Sequence, residues 1–355
     1  MRSLNLVMAE GTLKSKNKNS FHSKKGACFF MAVKFMLQLS AMHSVSLTVT
    51  THALGLKMPD FSCFQGFPIV VMRRGGLGNQ LFQYAAALQA SRQNGGSVFF
   101  TPTQSVVHRS GPHLEDFFGP LESPNWRQMA SFLLPPAHIQ HDLVAWNRRI
   151  RRRLSIGRPF WIIEDGGMEQ LELSYFGNAI LFDAYFQSLS CVRNVLSEVA
   201  ERILLKMPPL AIPRDDLISI HLRCGHDFAS SLGKIPFAYY ESALETFDPD
   251  RKAKLCVVGD IPSSLIEAGR RFNQLGWATE QSCVFTGERT MDDFWNLARA
   301  RRTVISASTF AWWAAVVGDS LWNVDRHEVA MPDPWLPAKR TPLLRREHWR
   351  SVAYA

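Results

Sequence analysis

The sequence has no two cysteines at short spacing: its six, at positions 28, 63, 191, 224, 256 and 283, stand far apart. That excludes a compact zinc ribbon and a Cys-x-x-Cys redox pair. Cys191 and Cys256 fall in apolar runs and read as core residues, so free thiols in a reducing compartment are the simplest expectation. Long uninterrupted apolar runs are missing too. Residues 27–56 are only moderately apolar, broken by Lys34, Gln38, His43 and His52. A lysine near the middle of a spanning helix costs roughly 2.5–3.5 kcal/mol on insertion, which argues against a clean transmembrane helix there. A basic stretch ahead of a moderately apolar one also resembles a signal anchor. Residues 1–66 are therefore read as a basic leader, either disordered or weakly anchor-like, with Met58 and Met72 as alternative starts. Acidic metal-binding strings are scarce. The one Asp-x-Asp string, Asp248-Pro249-Asp250, abuts Arg251 and Lys252.

What is present is a chain of 355 residues, 46% apolar, with a formal net charge of +9. The excess is uneven. Residues 1–66 carry eight Lys/Arg against Glu10 and Asp60, which accounts for +6 of it. The remainder is only mildly basic, which argues against a dedicated nucleic-acid binder. One cluster stands out: Arg148, Arg149, Arg151, Arg152 and Arg153, on a segment with helical character. It suits either a solvated face or a peripheral contact with anionic lipid or an acidic acceptor.

From Phe67 onward, strand-like and helix-like segments alternate. The run Pro68–Met72 reads as a buried strand, and Leu81, Phe82, Ala85 and Leu88 recur at helical spacing. Between them lie Gly75, Gly76 and Gly78, with Asn79 expected to cap a helix that Gln80 opens. Such a turn offers unpaired N–H groups and the positive end of a helix to an anion such as a diphosphate; a plain tight turn is the bland alternative. No Gly-Lys-Ser/Thr follows to make a P-loop, and Leu81 stands where a dinucleotide fingerprint needs its third glycine. Ser188–Lys206 reads as one amphipathic helix, and Met207–Pro213, with three prolines, as a linker. Strands are then expected at Leu217–Leu222, Lys254–Val258, Cys283–Thr286 and Thr303–Ala307. Helices are expected at Phe237–Phe247, Pro262–Leu275, Met291–Ala300 and Thr309–Val317. This pace implies a parallel α/β sheet with right-handed crossovers, whose ligands bind beyond the carboxyl ends of the strands. The polar residues His221 and Arg223, then Asp260, then Ser306, Ser308 and Thr309, all fall at such ends. Taken singly, Arg223 suits a surface ion pair, and Asp260 and Ser308 suit helix caps. The domains implied are a leader at 1–66, an N-terminal Rossmann-like, acceptor-side domain at 67–206, a linker at 207–216, a C-terminal donor-binding domain at 217–340 and a tail at 341–355.

Three stretches, GGLGNQLFQYA (Gly75–Ala85), HLRCG (His221–Gly225) and SASTFAWWAA (Ser306–Ala315), resemble in the same order the motifs of galactoside α-1,2-fucosyltransferases, glycosyltransferase family 11. AYFQS (Ala184–Ser188) and PDPWLP (Pro332–Pro337) are weaker echoes, and the likeness spans about residues 67–340. The resemblance implies a GT-B-like α/β fold, with two facing Rossmann-like domains and the donor cleft between them. It also implies an inverting transfer of L-fucose from GDP-β-L-fucose to the 2-hydroxyl of a terminal galactose. No cofactor and no metal are expected, with Arg223 stabilising the leaving GDP. By position, His221, Arg223, Gly76, Gly78, Asn79, Gln80, Asp260, Ser306, Ser308 and Thr309 would line the donor site. Trp312 and Trp313 are read as helix core rather than a sugar platform. The family pattern H-x-R-R-G-D is altered here: Cys224 replaces the second arginine, and His226 delays the aspartate to Asp227. Asp227 and His226 are the candidate bases, with Asp116 a third. The partners implied are GDP-fucose and a galactose-terminated oligosaccharide, polysaccharide or glycolipid, with peripheral membrane contact. A bacterial source would place the enzyme in the cytoplasm, associated with the membrane; an animal source would place it at the Golgi membrane. Two alternatives remain: a fucosyltransferase of another linkage or acceptor, and a catalytically silent GDP-sugar or glycan binder.

Overall fold

A computed structural model describes residues 49–50, 65–101, 114–123, 170–171, 175–176, 179–182, 185–209, 211–224, 235–280, 290–335 and 344–354. The leader apart from residues 49–50 and 65–66, the arginine cluster at 148–153, the strand expected at Cys283–Thr286, and His226 and Asp227 lie outside the described residues. In chain order the elements begin with β1 (Val49–Thr50), β2 (Ile69–Val71), α1 (Leu77–Asn94), β3 (Val98–Phe100) and α2 (Leu114–Phe118). Next come β4 (Gln170–Leu171), β5 (Tyr175–Phe176), β6 (Ala179–Phe182), α3 (Leu189–Val192), a 3₁₀ turn (Arg193–Val195) and α4 (Leu196–Leu204). The second half supplies β7 (Arg214–Leu222), α5 (Phe237–Phe247), β8 (Lys254–Gly259), α6 (Pro262–Gln274), β9 (Ala278–Thr279) and α7 (Thr290–Ala298). It ends with β10 (Ala300–Val304), α8 (Thr309–Trp322), β11 (Glu328–Asp333) and β12 (Arg350–Ala353).

Two sheets organise these elements. The first runs β3-β2-β6-β5, with β2 parallel to both β3 and β6 and β5 antiparallel. The second runs β12-β11-β10-β7-β8-β9, and all its pairings are parallel. Counted within that half, its strand order is the 3-2-1-4-5-6 of a doubly wound nucleotide-binding sheet. Parallel strands are covered on both faces, so they read as continuous apolar runs; Leu217, Ile218, Ile220 and Leu222 are all buried. Both sheets lie within one compact unit, Leu47–Ala355. The chain is thus α/β and GT-B-like, with two Rossmann-like halves. They join where α1 packs on α8: Phe82 meets Trp312 at 4.8 Å and Trp313 at 5.4 Å between ring centroids. Both tryptophans are wholly buried, as the core reading expected.

Several boundaries differ from the sequence expectation. The helix expected over Ser188–Lys206 is broken at Arg193–Val195. The cause is Gln89 on α1, whose amide stands between two groups that an α-helix would pair. Its Nε2 donates to Ser190 O at 3.1 Å, and its Oε1 accepts from Asn194 N–H at 3.1 Å. The strand expected at Thr303–Ala307 ends at Val304 and begins earlier, at Ala300. Arg301 and Arg302 disguised its start; they face outward to Asp215 and Glu328. The residues read as a tail include β12, which extends the second sheet beside β11. Cys256 is disulfide-bonded, against the expectation of free thiols, while Cys191 and Cys224 are free. Asp248 and Asp250 stabilise a turn: Asp248 accepts Ala253 N–H at 2.6 Å, and Asp250 pairs with Lys252 at 2.8 Å.

The C-terminal segment is fastened to α8 by Asp319, which is 2% exposed. Its carboxylate takes His327 Nδ1 at 2.7 Å, His348 Nε2 at 3.0 Å, Trp349 Nε1 at 3.0 Å and the Arg346 guanidinium. Burial alone would raise the carboxyl's pKa, but the His327 hydrogen bond and the charges of His327, Arg346 and His348 outweigh it and hold it below the ordinary value. A carboxyl depressed on folding stabilises the native state above its unfolded pKa of about 3.9, and that contribution is lost as pH falls through the folded value. Asp319→Asn is expected to lower unfolding stability at pH 7 by about 1–3 kcal/mol. It should also flatten the acid limb below about pH 4, read by urea titrations across pH. An unaltered acid limb in the variant would show that the stabilising charge lies elsewhere.

Candidate nucleotide-sugar cleft

In the second sheet the strand order reverses between β7 and β10, and a doubly wound sheet opens its ligand crevice at such a reversal. From β7 come His221 and Arg223; from the turn after β10 come Ser306 and Ser308. His221 Nδ1 and Ser306 Oγ share a hydrogen bond of 2.6 Å directly across the reversal. Burial, helped by the nearby Arg223 charge, pushes the His221 pKa down to about 3. The imidazole is therefore neutral through the physiological range and is a hydrogen-bonding group, not a cation. Arg223 lies 3.2 Å through Nε from Asp260 Oδ2 at the end of β8. The other oxygen of Asp260 accepts Cys224 N–H at 2.8 Å. The carboxylate thus braces both the guanidinium and the backbone that carries it.

Ser308 is the N-cap of α8, yet its hydroxyl makes no capping bond. Its Oγ is buried without a hydrogen-bond partner. Buried polar atoms are nearly always paired, and an unpaired hydroxyl at a helix N-terminus with no acid in its first turn suits an anion. Thr309 is turned the other way: its Oγ1 donates to Asn79 Oδ1 at 2.9 Å. Asn79 Oδ1 also accepts Gln187 Nε2 at 2.8 Å. These bonds tie the glycine turn of the first half to the helix start of the second.

This corrects the expectation for the glycine motif. Helix α1 begins at Leu77, with Gly76 in the cap position, so Asn79 lies inside the helix and does not cap it. Gly75 adopts φ 71°, a left-handed turn that favours glycine. Gly78 faces the other half of the molecule: a Cβ there would overlap the backbone of Thr309 and Phe310. Gly78 thus allows the close approach of α1 to α8. Gln80 is wholly buried and donates through Nε2 to Gly75 O at 3.0 Å, bracing the turn. The neighbouring Arg73, also buried, donates to Thr101 O at 2.6 Å and pairs with Glu115 at 2.6 Å.

Of the expected bases, Asp116 lies on α2 and is exposed. Asp293, in the first turn of α7, has its pKa raised to about 7 by burial and then by the adjacent Asp292. The sequence reading did not single out Gln187, although it lies in the AYFQS echo. A cavity of about 310 Å³ lies between Leu189, Arg193 and Leu196 and the C-terminal residues Arg346 and His348. It touches none of the expected site residues. Among the described residues, no group of three or more His, Cys, Asp or Glu is placed to hold a metal ion, and no helix is long and apolar enough to cross a membrane.

These features define an α/β protein of two Rossmann-like halves with a polar, anion-suited edge where they meet. No family model matches the chain, and no curated protein matches it. Solved structures similar to it include Escherichia coli heptosyltransferase WaaC with ADP, at 11% identity and TM-score 0.41, covering 81% of this chain and 93% of that one. A mutant of Arabidopsis thaliana FUT1 in complex with GDP is similar at 12% identity and TM-score 0.40, covering 72% and 69%. The fucosyltransferase NodZ from Bradyrhizobium is similar at 15% identity and TM-score 0.37, covering 71% and 92%.

Proposed function

We propose that the chain is an inverting, metal-independent galactoside α-1,2-fucosyltransferase, moving L-fucose from GDP-β-L-fucose to the 2-hydroxyl of a terminal galactose. The observation that carries this reading is the convergence, at one strand-order reversal, of Arg223, the neutral His221–Ser306 pair and the unpartnered Ser308 hydroxyl. These residues stand within two of the three motifs whose order resembles that family. In the proposed reaction the acceptor O2 attacks the anomeric carbon while the bond to the diphosphate oxygen breaks. Negative charge then grows on the leaving GDP. Arg223 supplies a fixed positive fork to it, and Ser308 with the α8 N-terminus supplies hydrogen bonds. The acceptor proton passes to a base drawn from Asp227 and His226, which follow Arg223 in the sequence. The acceptor is a galactose-terminated oligosaccharide, polysaccharide or glycolipid.

The test is GDP release from GDP-fucose by the full chain in EDTA, with and without lactose or N-acetyllactosamine. Galactoside-stimulated release, with a product cleaved by an α-1,2-specific fucosidase, is the expected result. A product resistant to that fucosidase would point to another linkage. The altered Cys224-Gly225-His226-Asp227 sequence motivates the second reading, a silent binder, which tight GDP-fucose binding without release on any galactoside would establish.

A further inference from the structure

Between β6 and α3 the chain runs Tyr185-Phe186-Gln187-Ser188, at the same sheet edge as the Gly75–Asn79 turn, because β2 and β6 are parallel neighbours. Phe186 has φ 54°. A bulky non-glycine residue in that left-handed region is strained by about 1–2 kcal/mol. Its ring is wholly buried, 4.7 Å from that of Phe182, and Ser188 N–H closes the turn on Phe186 O at 2.8 Å. With Phe186 pinned inward, its two neighbours have separate tasks. Gln187 is fastened to Asn79, and through that shared oxygen to Thr309. Tyr185 is 40% exposed.

A strained turn that buries one ring to present another is a preorganised surface, and little ordering entropy remains to be lost when a ligand lies on it. The face of an aromatic ring is electronegative. It suits the C–H groups on the apolar face of a galactopyranose, which the axial O4 leaves clear. The diphosphate-suited groups, Arg223 and Ser308, belong to the second sheet, whereas Tyr185 stands on the first. We infer that Tyr185 is the stacking platform for the galactose of the acceptor, with Gln187 as the positioning residue that holds its turn. This inference rests on the fucosyltransferase reading above.

The test measures lactose affinity on the full chain saturated with GDP by saturation-transfer NMR, and GDP-fucose affinity on the nucleotide-free full chain by calorimetry. Tyr185→Ala is expected to weaken lactose about tenfold or more and to leave GDP-fucose within about twofold. Tyr185→Phe keeps the ring face and is expected to stay near wild type for both. Weakened GDP-fucose with unaltered lactose would overturn the inference in favour of a donor contact. Equal losses in the Ala and Phe variants would overturn stacking in favour of a hydroxyl contact. If the unsubstituted chain binds GDP-fucose but no galactoside, the inference falls while the donor reading stands. If it binds neither, both fall.

Discussion

Arg223→Ala is expected to lower fucose transfer ~10²–10³-fold, the usual effect of removing one preorganised donor from developing charge. The size follows from how the side chain is held. Its Nε lies against Asp260, and Asp260 also grips the Cys224 backbone, so the guanidinium is aimed before substrate arrives and little reorganisation remains at the moment of reaction. Arg223→Lys keeps a charge but loses the planar fork and is expected to recover only a small part of the rate. Asp260→Asn leaves the arginine in place but loosens it, so an intermediate loss is expected. Rates should be compared with GDP affinity and thermal midpoint: kcat carries the loss while the midpoint stays close to wild type, because Arg223 is about one-third exposed and outside the core. A loss of less than tenfold in Arg223→Ala would remove the arginine from its assigned role and, with it, the central claim of metal-free leaving-group stabilisation.

The sheet edge that carries His221, Arg223 and Ser308 was legible because local sequence encodes it. A β-branched run that stops at His221 and Arg223 marks the end of a buried parallel strand, and hydroxyls ahead of an apolar periodic run mark the start of α8. Both inferences use neighbours a few residues apart. What the sequence hid depends on partners far along the chain. Asn79 looked like a cap, but its acceptors are claimed by Gln187 and Thr309, 108 and 230 residues away. The helix after Ser188 looked continuous because its apolar stripe is continuous. Its break is made by Gln89, about a hundred residues earlier, a competition that no periodicity records. Strand β12 carries too little apolar character to be seen alone; it forms because β11 offers an edge and because Asp319 gathers Arg346, His348 and Trp349 just before it. The sharpest lesson concerns Gly78. A glycine cluster between strand and helix suggests close approach to the backbone, and at Gly78 the protein's own α8 makes such an approach.

That approach sets the second large expected effect. Gly78→Ala adds one methyl on α1 where the Thr309–Phe310 peptide of α8 already sits. Flexible side chains can yield to such a group, but a peptide at a helix start cannot yield without moving the helix. The halves must therefore separate by enough to admit a methyl, and that shift breaks the Thr309–Asn79 bond and unseats Phe82 from Trp312 and Trp313. Overpacking of this kind costs about 1–3 kcal/mol where neighbours relax, and the upper end or beyond is expected here because backbone meets the new atom. The catalytic consequence exceeds the stability loss: displacement on the order of 1 Å between groups on opposite halves is worth about a hundredfold in rate. Gly78→Ala should therefore melt earlier and transfer fucose about a hundredfold more slowly, while Gly95→Ala serves as the control. Gly95 has a left-handed φ of 71° but open space around its Cβ, so its substitution is expected to cost stability without changing transfer by the folded fraction. If Gly78→Ala instead matched the unsubstituted chain in both melting and transfer, the close packing of α1 on α8 would not set the geometry of the cleft.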